Sequence, residues 1–480
     1  MAAASDEILE LIRRFLAAQT DVASLPHIET VERVAVGRSR ENWIFDAEWA
    51  SAPAGGPADG SIEPLIVRRD PLGGLLETSR SEEFAVLRAL EATAVPAPRV
   101  RWLDADGTYL GRPSLIMVRE PGVCDYFVVN GDRPLATRVR LARQFCDLLA
   151  SIHTVDWVGA GMGDFLPDPG RRAADHELDR WEAVLRRDQL EPHPELELAL
   201  GWLRHTAPDA ARTVLVHGDF KPGNVLLEGD RIVALLDWEL AHLGDPMEDL
   251  GWITQPLRQR EHLIPGAWEQ TELFARYTER TGIDVDAAAV AWWNVLASFK
   301  TAVMQVSGLR SFVEGRSDEP YRPTTTVLRS LLDAVAPPDP PPPLEDRADA
   351  VPTGHILVQH LDGARRLLDQ VAADVGLSPA SAAMVADVHR LVRQVAAGWP
   401  GALRFLIEDN ARLEQLLAEL GSPVAPDGAE IDQVPAVTDV HQHNLDLRAL
   451  LADAAPTAAA RARVAAVLRE RLDTDPINKR

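Results

Sequence analysis

Apolar positions recur along the chain at two spacings, helical and extended. Ile8, Leu9, Ile12, Phe15 and Leu16 fall on one face of a helix predicted over residues 5 to 18, with Ser5 as its N-cap. From Val31 the pattern shortens to that of strands. VERVAVGRSRENWIFDAEW (Val31 to Trp49) reads as two strands around Gly37-Arg38-Ser39-Arg40, and PLIVRRD (Pro64 to Asp70) and SLIMVRE (Ser114 to Glu120) read as two more. Between them Thr78 to Thr93 is predicted helical, with Phe84, Leu87 and Leu90 on its buried face. From Leu135 the helical spacing returns. Thr137 to Asp156 carries Leu141, Phe145, Leu148, Leu149 and Ile152 on one face, and Asp175 to His205 is a second helical region rich in both charge signs. Three short apolar runs interrupt this half: Thr213 to Val216, Val225 to Leu227 and Ile232 to Leu236, the last two joined by a Gly229-Asp230 hairpin turn. The helices that follow hold Trp268, Phe274, Tyr277, Trp292, Trp293 and Phe299, aromatics that read as core. PPDPPPP, residues 337 to 343, is a stiff extended linker. Beyond it Leu357, Leu361, Ala364, Leu368 and Val371, then Val385, Val388, Val392 and Val395, then Leu403 to Leu420 and Leu445 to Leu451 repeat at helical spacing, as in an antiparallel bundle.

Composition narrows the function classes. The chain of 480 residues is long enough for two or three domains, and 46% hydrophobic with 25% charged residues is ordinary for a globular protein. A net charge of −24 argues against a general nucleic-acid binder; it suits a cationic substrate but more often serves solubility. Cys124 and Cys146 supply neither a disulfide framework nor a metal spacing. His355, His360, His389, His441 and His443 lack compact spacing with carboxylates and read as scattered surface residues. No apolar run is long enough to span a bilayer, and MAAASDEILELIRRF lacks the layout of a signal peptide. The expectation is a cytoplasmic protein with no membrane partner.

The chemistry concentrates in LVHGDFKPGNVLLEGDRIVALLDWELAHLGDP, Leu215 to Pro246. HGDFKPGN matches H-x-D-x-x-x-x-N, the kinase catalytic-loop pattern in which the Asp accepts the proton of the attacking hydroxyl and the Asn holds magnesium. Those residues are Asp219 and Asn224. Asp237 follows at a second strand end and supplies a further hard oxygen to a magnesium ion bridging the nucleotide phosphates. Lys221 brings positive charge toward the transferring phosphoryl group. Either half of the pattern alone would fit a polar surface loop. Both, between apolar strands and followed by a strand-end Asp, favour the functional reading.

HGDFKPGN and LLDWELAHLGDPMEDLG resemble the H-G-D-x-x-x-x-N and D-W-E…G-D-P…D-L segments of the aminoglycoside phosphotransferase-like family, which shares the protein-kinase fold. The likeness covers about residues 25 to 335 and is nearest to the branch that includes kinase domains fused to acyl-CoA dehydrogenases. It implies an α+β, bilobal protein-kinase-like fold, with a small antiparallel-sheet lobe over residues 1–120 and a mostly helical large lobe over 121–336. A Pro-rich linker (337–349) and an all-α helical domain (350–480) follow. It implies ATP and Mg2+ as cofactors. A kinase Gly-rich loop would then lay Gly37 and Ser39 over the phosphates, although the stretch alone fits an ordinary hairpin equally well. Arg68 stands where the family strand carries a Lys, and Glu83, with Glu82 as the fallback, stands where its helix supplies the partner. Pro121-Gly122 would be the hinge, with Met117 to Val123 lining the adenine slot. Asp249 is expected to bind backbone in the catalytic region. Glu239 fits either a supporting position or the surface. His153 reads as structural. The region from Asp175 fits either an acceptor pocket or a solvated helical face.

The expected activity is transfer of the γ-phosphoryl group of ATP to the hydroxyl of a small molecule, with a hydroxyacyl thioester as the acceptor suggested by the branch. An antibiotic kinase of the same reaction class is the first alternative. A catalytically silent scaffold, using residues 350–480 for a protein partner or self-association, is the second. The intact Asp219, Asn224 and Asp237 argue against the scaffold.

Overall fold

The computed structural model describes residues 2–34 (save 20, 21 and 23), 41–70 (save 52, 54, 55, 57 and 58), 78–316, 322–336, 368, 379–398, 401–422, 437–453 and 457–475. The chain clusters into two compact units, Met1–Asp188 with Leu203–Arg322, and Gln189–Trp202 with Pro323–Arg480.

The first unit begins with helix α1 (Ala2–Ala17) and a five-stranded antiparallel sheet. Its strands are β1 (Val31–Val34), β2 (Glu41–Glu48), β3 (Ile62–Arg69), β4 (Val100–Asp104) and β5 (Ser114–Val118), in the order β1-β2-β3-β5-β4. Ser5 lies inside α1 and does not cap it, because the helical hydrogen bonding already starts at Ala2. The face of α1 read from the sequence packs on the sheet. Ile8, Ile12, Phe15 and Leu16 share a core with Trp43, Phe45, Trp49, Leu65, Val67 and Trp102. Strand alternation sorts β3 into two faces. Glu63, Leu65 and Val67 are buried, and Arg68 emerges on the opposite face from its two neighbours in that series.

Helix α2 (Arg80–Leu90) is capped by Ser79, whose side chain accepts from the Glu82 N–H at 3.2 Å. Its buried face is Glu83, Val86, Leu87 and Leu90. Phe84, expected in that face, is only half-buried, and the Arg88 guanidinium lies 5.5 Å from its ring centroid. The helix is turned so that a carboxylate faces inward, which a hydrophobic pattern does not register.

After β5 the chain crosses to a mostly helical region. Gly122 adopts φ +111°, and a Cβ there would lie 2.8 Å from the Leu227 carbonyl oxygen. Val123 and Leu227 exchange backbone hydrogen bonds of 3.0 and 2.9 Å, so the crossing strand is stitched down. Helix α3 (Leu135–His153) follows. The region from Asp175 to His205 is two helices, α4 (Ala173–Asp188) and α5 (Pro194–Thr206), parted where Pro192 and Pro194 interrupt the backbone ladder. Two small antiparallel pairs flank residues 217–224: β6 (Val214–Val216) with β9 (His242–Gly244), and β7 (Val225–Glu228) with β8 (Arg231–Leu235). β9 escaped the sequence reading because AHLG carries no alternation. Helices α6 (Met247–Thr254), α7 (Gln259–His262), α8 (Gln270–Thr281) and α9 (Ala287–Val313) complete the unit. Asp286 caps α9 by accepting from the Ala288 and Ala289 N–H groups. Trp268, Tyr277, Trp292, Trp293 and Phe299 are buried, and Phe274 is half-buried.

The second unit joins residues Gln189–Trp202 to α10 (Thr325–Val335), α11 (Pro379–Gly398), α12 (Ala402–Glu419), α13 (Val437–Asp453) and α14 (Ala458–Thr474). Leu413, Leu416, Leu417, Leu447, Leu451, Val464 and Leu468 form its apolar interior. Within it the buried Asp409 accepts from Asn444 at 2.7 Å and from Arg471 at 3.0 Å. On α11, Val388 and Val395, expected inside, are 46% and 48% exposed. The Pro-rich stretch, and Leu357, Leu361, Ala364 and Val371, lie outside the described residues. Among those described, no helix is long and apolar enough to cross a membrane.

Ile12 is fully buried between α1 and the sheet. Ile12→Ala is expected to destabilise the first unit by roughly 2–5 kcal/mol, the cost of a large-to-small core change, read as the shift of its denaturant transition.

Candidate functional site

Residues His217 to Asp219 lie between β6 and β7 in neither helix nor sheet, and His217 is fully buried. Their backbone polar groups therefore need partners from elsewhere. The Asp249 carboxylate accepts from the His217 N–H at 2.8 Å and the Gly218 N–H at 2.9 Å. The Asp219 N–H donates to His217 Nδ1 at 3.2 Å. The Asp219 carbonyl accepts from Asn224 Nδ2 at 3.0 Å, and the Gly218 carbonyl accepts from Lys300 Nζ. Gly218 itself is at φ +78°, with its Cβ position 2.8 Å from the Leu240 carbonyl oxygen, so no other residue fits the turn without strain.

The supports are supported in turn. With Nδ1 accepting, His217 donates from Nε2 to the Leu236 carbonyl at 3.0 Å. Burial holds its pKa below the usual histidine range, consistent with a neutral ring. His153 bridges Asp249 at 3.2 Å and the Tyr277 hydroxyl at 2.6 Å, a structural position as the sequence reading expected. Burial would raise the Asp249 pKa, but the His153 hydrogen bond and charge, with help from His217, bring it down to about 2.

The Asp219 carboxylate receives Lys221 Nζ at 2.6 Å and Asn224 Nδ2 at 3.1 Å. Lys221, expected to bring positive charge to the transferring phosphoryl group, here ion-pairs with the Asp219 carboxylate. Asn224 and Asp237 lie at the same open end of the β7–β8 hairpin. Val225 pairs with Leu235, and the Leu236 N–H donates to the Asn224 carbonyl at 2.7 Å. Asp237 is the one non-glycine residue with positive φ among those described (φ 69°, ψ 55°). This backbone turns its carboxylate off the strand end. Asn224 spends its amide N–H groups on Asp219, which leaves the amide oxygen as the end available to a cation. An amide oxygen and a carboxylate are hard donors of the kind magnesium takes from protein.

The small-lobe side reaches the same place. Arg68 donates to Glu83 at 3.0 Å and to Asp237 at 2.6 Å. Burial alone would lower its pKa; Glu83, and then Asp237, outweigh that and raise it. Glu82, the fallback partner, is exposed and gives its backbone N–H to the helix cap. Met117 is buried in β5 with Ile66 and Val100 as strand partners, while Val123 is 67% exposed. Gly37 and Ser39 lie outside the described residues.

Three functional candidates escaped the sequence reading. Arg80 is 3% exposed and ion-pairs with Glu83, with Asp70 at 3.1 Å and with Glu239 at 3.0 Å. Glu239, left ambiguous by the sequence, belongs to this network. Lys300 is 4% exposed in the middle of α9. Its signal was present: a lone Lys in the apolar run AVAWWNVLASFKTAVMQV has to be buried with partners. The third is Glu177–His242–Glu248, whose ligand-type atoms lie within 4.8 Å of one another. Protein cations already serve this cluster. His242 Nε2 lies 3.0 Å from Glu248 and 3.6 Å from Glu177, Arg180 lies 3.2 Å from Glu177, and Lys300 lies 4.0 Å from Glu248. It reads as an ion-pair network rather than a metal centre.

Comparisons with known proteins place the chain in a family. Residues 30–292 match the APH model of the phosphotransferase enzyme family. The chain belongs to that family. The family is one of phosphotransferase enzymes. Acyl-CoA dehydrogenase family member 10 of Mus musculus is 29% identical over 198 residues, 39% of this chain and 18% of that protein. Probable acyl-CoA dehydrogenase IBR3 of Arabidopsis thaliana is 27% identical over 302 residues, 56% of this chain and 36% of that protein. The chain thus spans well under half the length of these curated relatives. Among solved structures, a Ralstonia eutropha protein assigned as an aminoglycoside phosphotransferase covers 68% of this chain and 94% of its own at 22% identity, with a TM-score of 0.50. That likeness establishes the kinase-like fold of the family.

The ion-pair network makes stability depend on pH. Burial opposes charge on His242, yet Glu177 and Glu248 outweigh it and raise its pKa from 6.5 to about 9. A histidine pKa raised by folding adds stability that is complete below the unfolded value and lost as pH rises through the folded one. The melting temperature should therefore fall between pH 6.5 and about 9. His242→Gln should flatten that limb in thermal melts taken across the range.

Proposed function

We propose that the chain binds ATP with magnesium in the cleft beneath the small lobe and phosphorylates the hydroxyl of a hydroxyacyl thioester. The observation that carries the reading is the convergence of Asp219, Asn224 and Asp237 at one end of the β7–β8 hairpin, with Arg68 reaching Asp237 from the sheet. Asn224 and Asp237 would hold the metal, which when bound neutralises charge on the phosphates. Asp219 orients the acceptor hydroxyl and takes its proton as the oxygen bonds to the γ-phosphorus and the bond to the β-phosphate oxygen breaks, leaving ADP. Lys221 keeps the Asp219 carboxylate aligned and would bring positive charge toward the transferring group. Arg68 and Glu83 fix the nucleotide side, with a guanidinium doing what a Lys does in relatives. A guanidinium can reach two carboxylates at once, as Arg68 does. Gly37 and Ser39 would cover the phosphates, and Met117 to Val123 would line the base.

The acceptor class is supported by the relatives named as acyl-CoA dehydrogenases, whose substrates by that name are acyl thioesters. The appended helical unit would serve a protein partner or self-association.

Two variants separate the roles. Asp219→Ala should lower kcat by about 10²–10⁴-fold, the range for loss of a positioned general base. It should leave the magnesium-dependent rise in melting temperature with ATP in place. Asp237→Ala should abolish that rise, since a ligand that binds only the folded state must stabilise it. A wild-type chain that shows no magnesium-dependent shift with millimolar ATP, and no turnover with hydroxyacyl thioesters, would remove the reading.

A further inference from the structure

One side of the catalytic turn rests on an alternating run of cations and indoles. The Arg258 guanidinium lies 4.6 Å from the Trp252 ring centroid, and Lys300 Nζ lies 4.9 Å from that ring and 5.3 Å from Trp181. The Arg180 guanidinium lies 5.7 Å from the Trp181 ring. The middle cation of this run donates to the Gly218 carbonyl, at the peptide bond that leads into Asp219. We propose that Lys300 is a positioning residue for Asp219. It fixes the Gly218–Asp219 peptide plane and thereby the direction in which the carboxylate leaves the turn. This rests on the phosphotransfer reading above.

The physical case is one of cost. Sinking an ammonium into the interior is unfavourable unless its hydration is replaced, and an apolar side chain of similar length would pack the same space more cheaply. Here the replacement is specific: two indole faces, the carboxylate of Glu248 at 4.0 Å and one carbonyl. Glu177, Glu248 and Arg180 account for the local charge balance, and burial lowers the pKa of Lys300. They do not account for the bond to Gly218. The Gly218 N–H is held by Asp249 and the Asp219 N–H and C=O by His217 and Asn224. Lys300 alone among the described residues holds the Gly218 carbonyl, so its removal leaves that peptide plane held only at its other end, by the Asp219 N–H on His217 Nδ1 at 3.2 Å. Lys300 is buried and reaches Asp219 through the Gly218 carbonyl, which separates positioning from catalysis.

The test compares Lys300→Met, which has no donor, with Lys300→Arg, which retains donors in a cationic head. If Lys300 positions Asp219, Lys300→Met lowers kcat by about 10²-fold, the size of effect that a misplacement of about an ångström brings, while KM for ATP changes little. Backbone amide exchange across residues 215–224 then speeds up under conditions where the rest of the unit stays protected. Lys300→Arg recovers most of both losses. Should Lys300→Met fail to fold, Trp252→Leu loosens the seat of the ammonium without touching the turn and should move both readouts the same way. If Lys300→Met lowers the melting temperature but leaves kcat and exchange at 215–224 unchanged, the residue is only a stabilising charge and the proposal falls. A wild-type chain without magnesium-dependent ATP binding would instead remove the functional reading, and the exchange data would still decide whether Lys300 holds the turn.

Discussion

A buried turn without secondary structure of its own has no internal partners for its peptide groups, and His217 to Asp219 is such a turn. Each unpaired N–H or C=O there would cost about as much as a lost hydrogen bond with its desolvation, roughly 1–3 kcal/mol. The fold meets this with Asp249 from α6 and Lys300 from α9, both far along the chain, and with Asn224 five residues beyond Asp219. Much of the large-lobe architecture follows from that need. α6 packs on α9 while both deliver a polar group to the same three residues, and α3 and α8 supply His153 and Tyr277 to steady Asp249. The helices serve as mounts for these groups as well as layers of the core.

The same economy links the sheet to the helical half. Glu83 is fully buried on α2 and balances Arg68 and Arg80, which extend to Asp237 and Glu239 on the far side of the cleft. Breaking one member would leave a buried charge without compensation, a penalty larger than the pair is worth in place. A chain of ion pairs thus runs from one half to the other.

Much of this was legible in the sequence for a definable reason. The catalytic motif is short-range: its residues are tied by a turn and a hairpin, so spacing alone reports geometry. The apolar face of α1 and the strand alternation were legible because burial leaves a periodic trace. Arg68 and Glu83 lie on separate elements and could be paired only through resemblance to a family. Arg80 and Lys300 were missed because a charged residue is normally read as a surface residue, whereas here each is nine-tenths buried or more. The inward turn of α2, with Phe84 displaced by Glu83, is the same failure seen from the other side. β9 and the split between α4 and α5 depended on tertiary pairing and on Pro192 and Pro194, which local periodicity does not weigh.

Asp237 occupies left-handed backbone that glycine adopts freely and a carboxylate-bearing residue adopts at a cost of order 1 kcal/mol. The cheapest residue for the turn is therefore not the one that can ligate a cation. Asp237 thus sets a carboxylate at the hairpin end at the expense of backbone ease, the reverse of what Gly would give there.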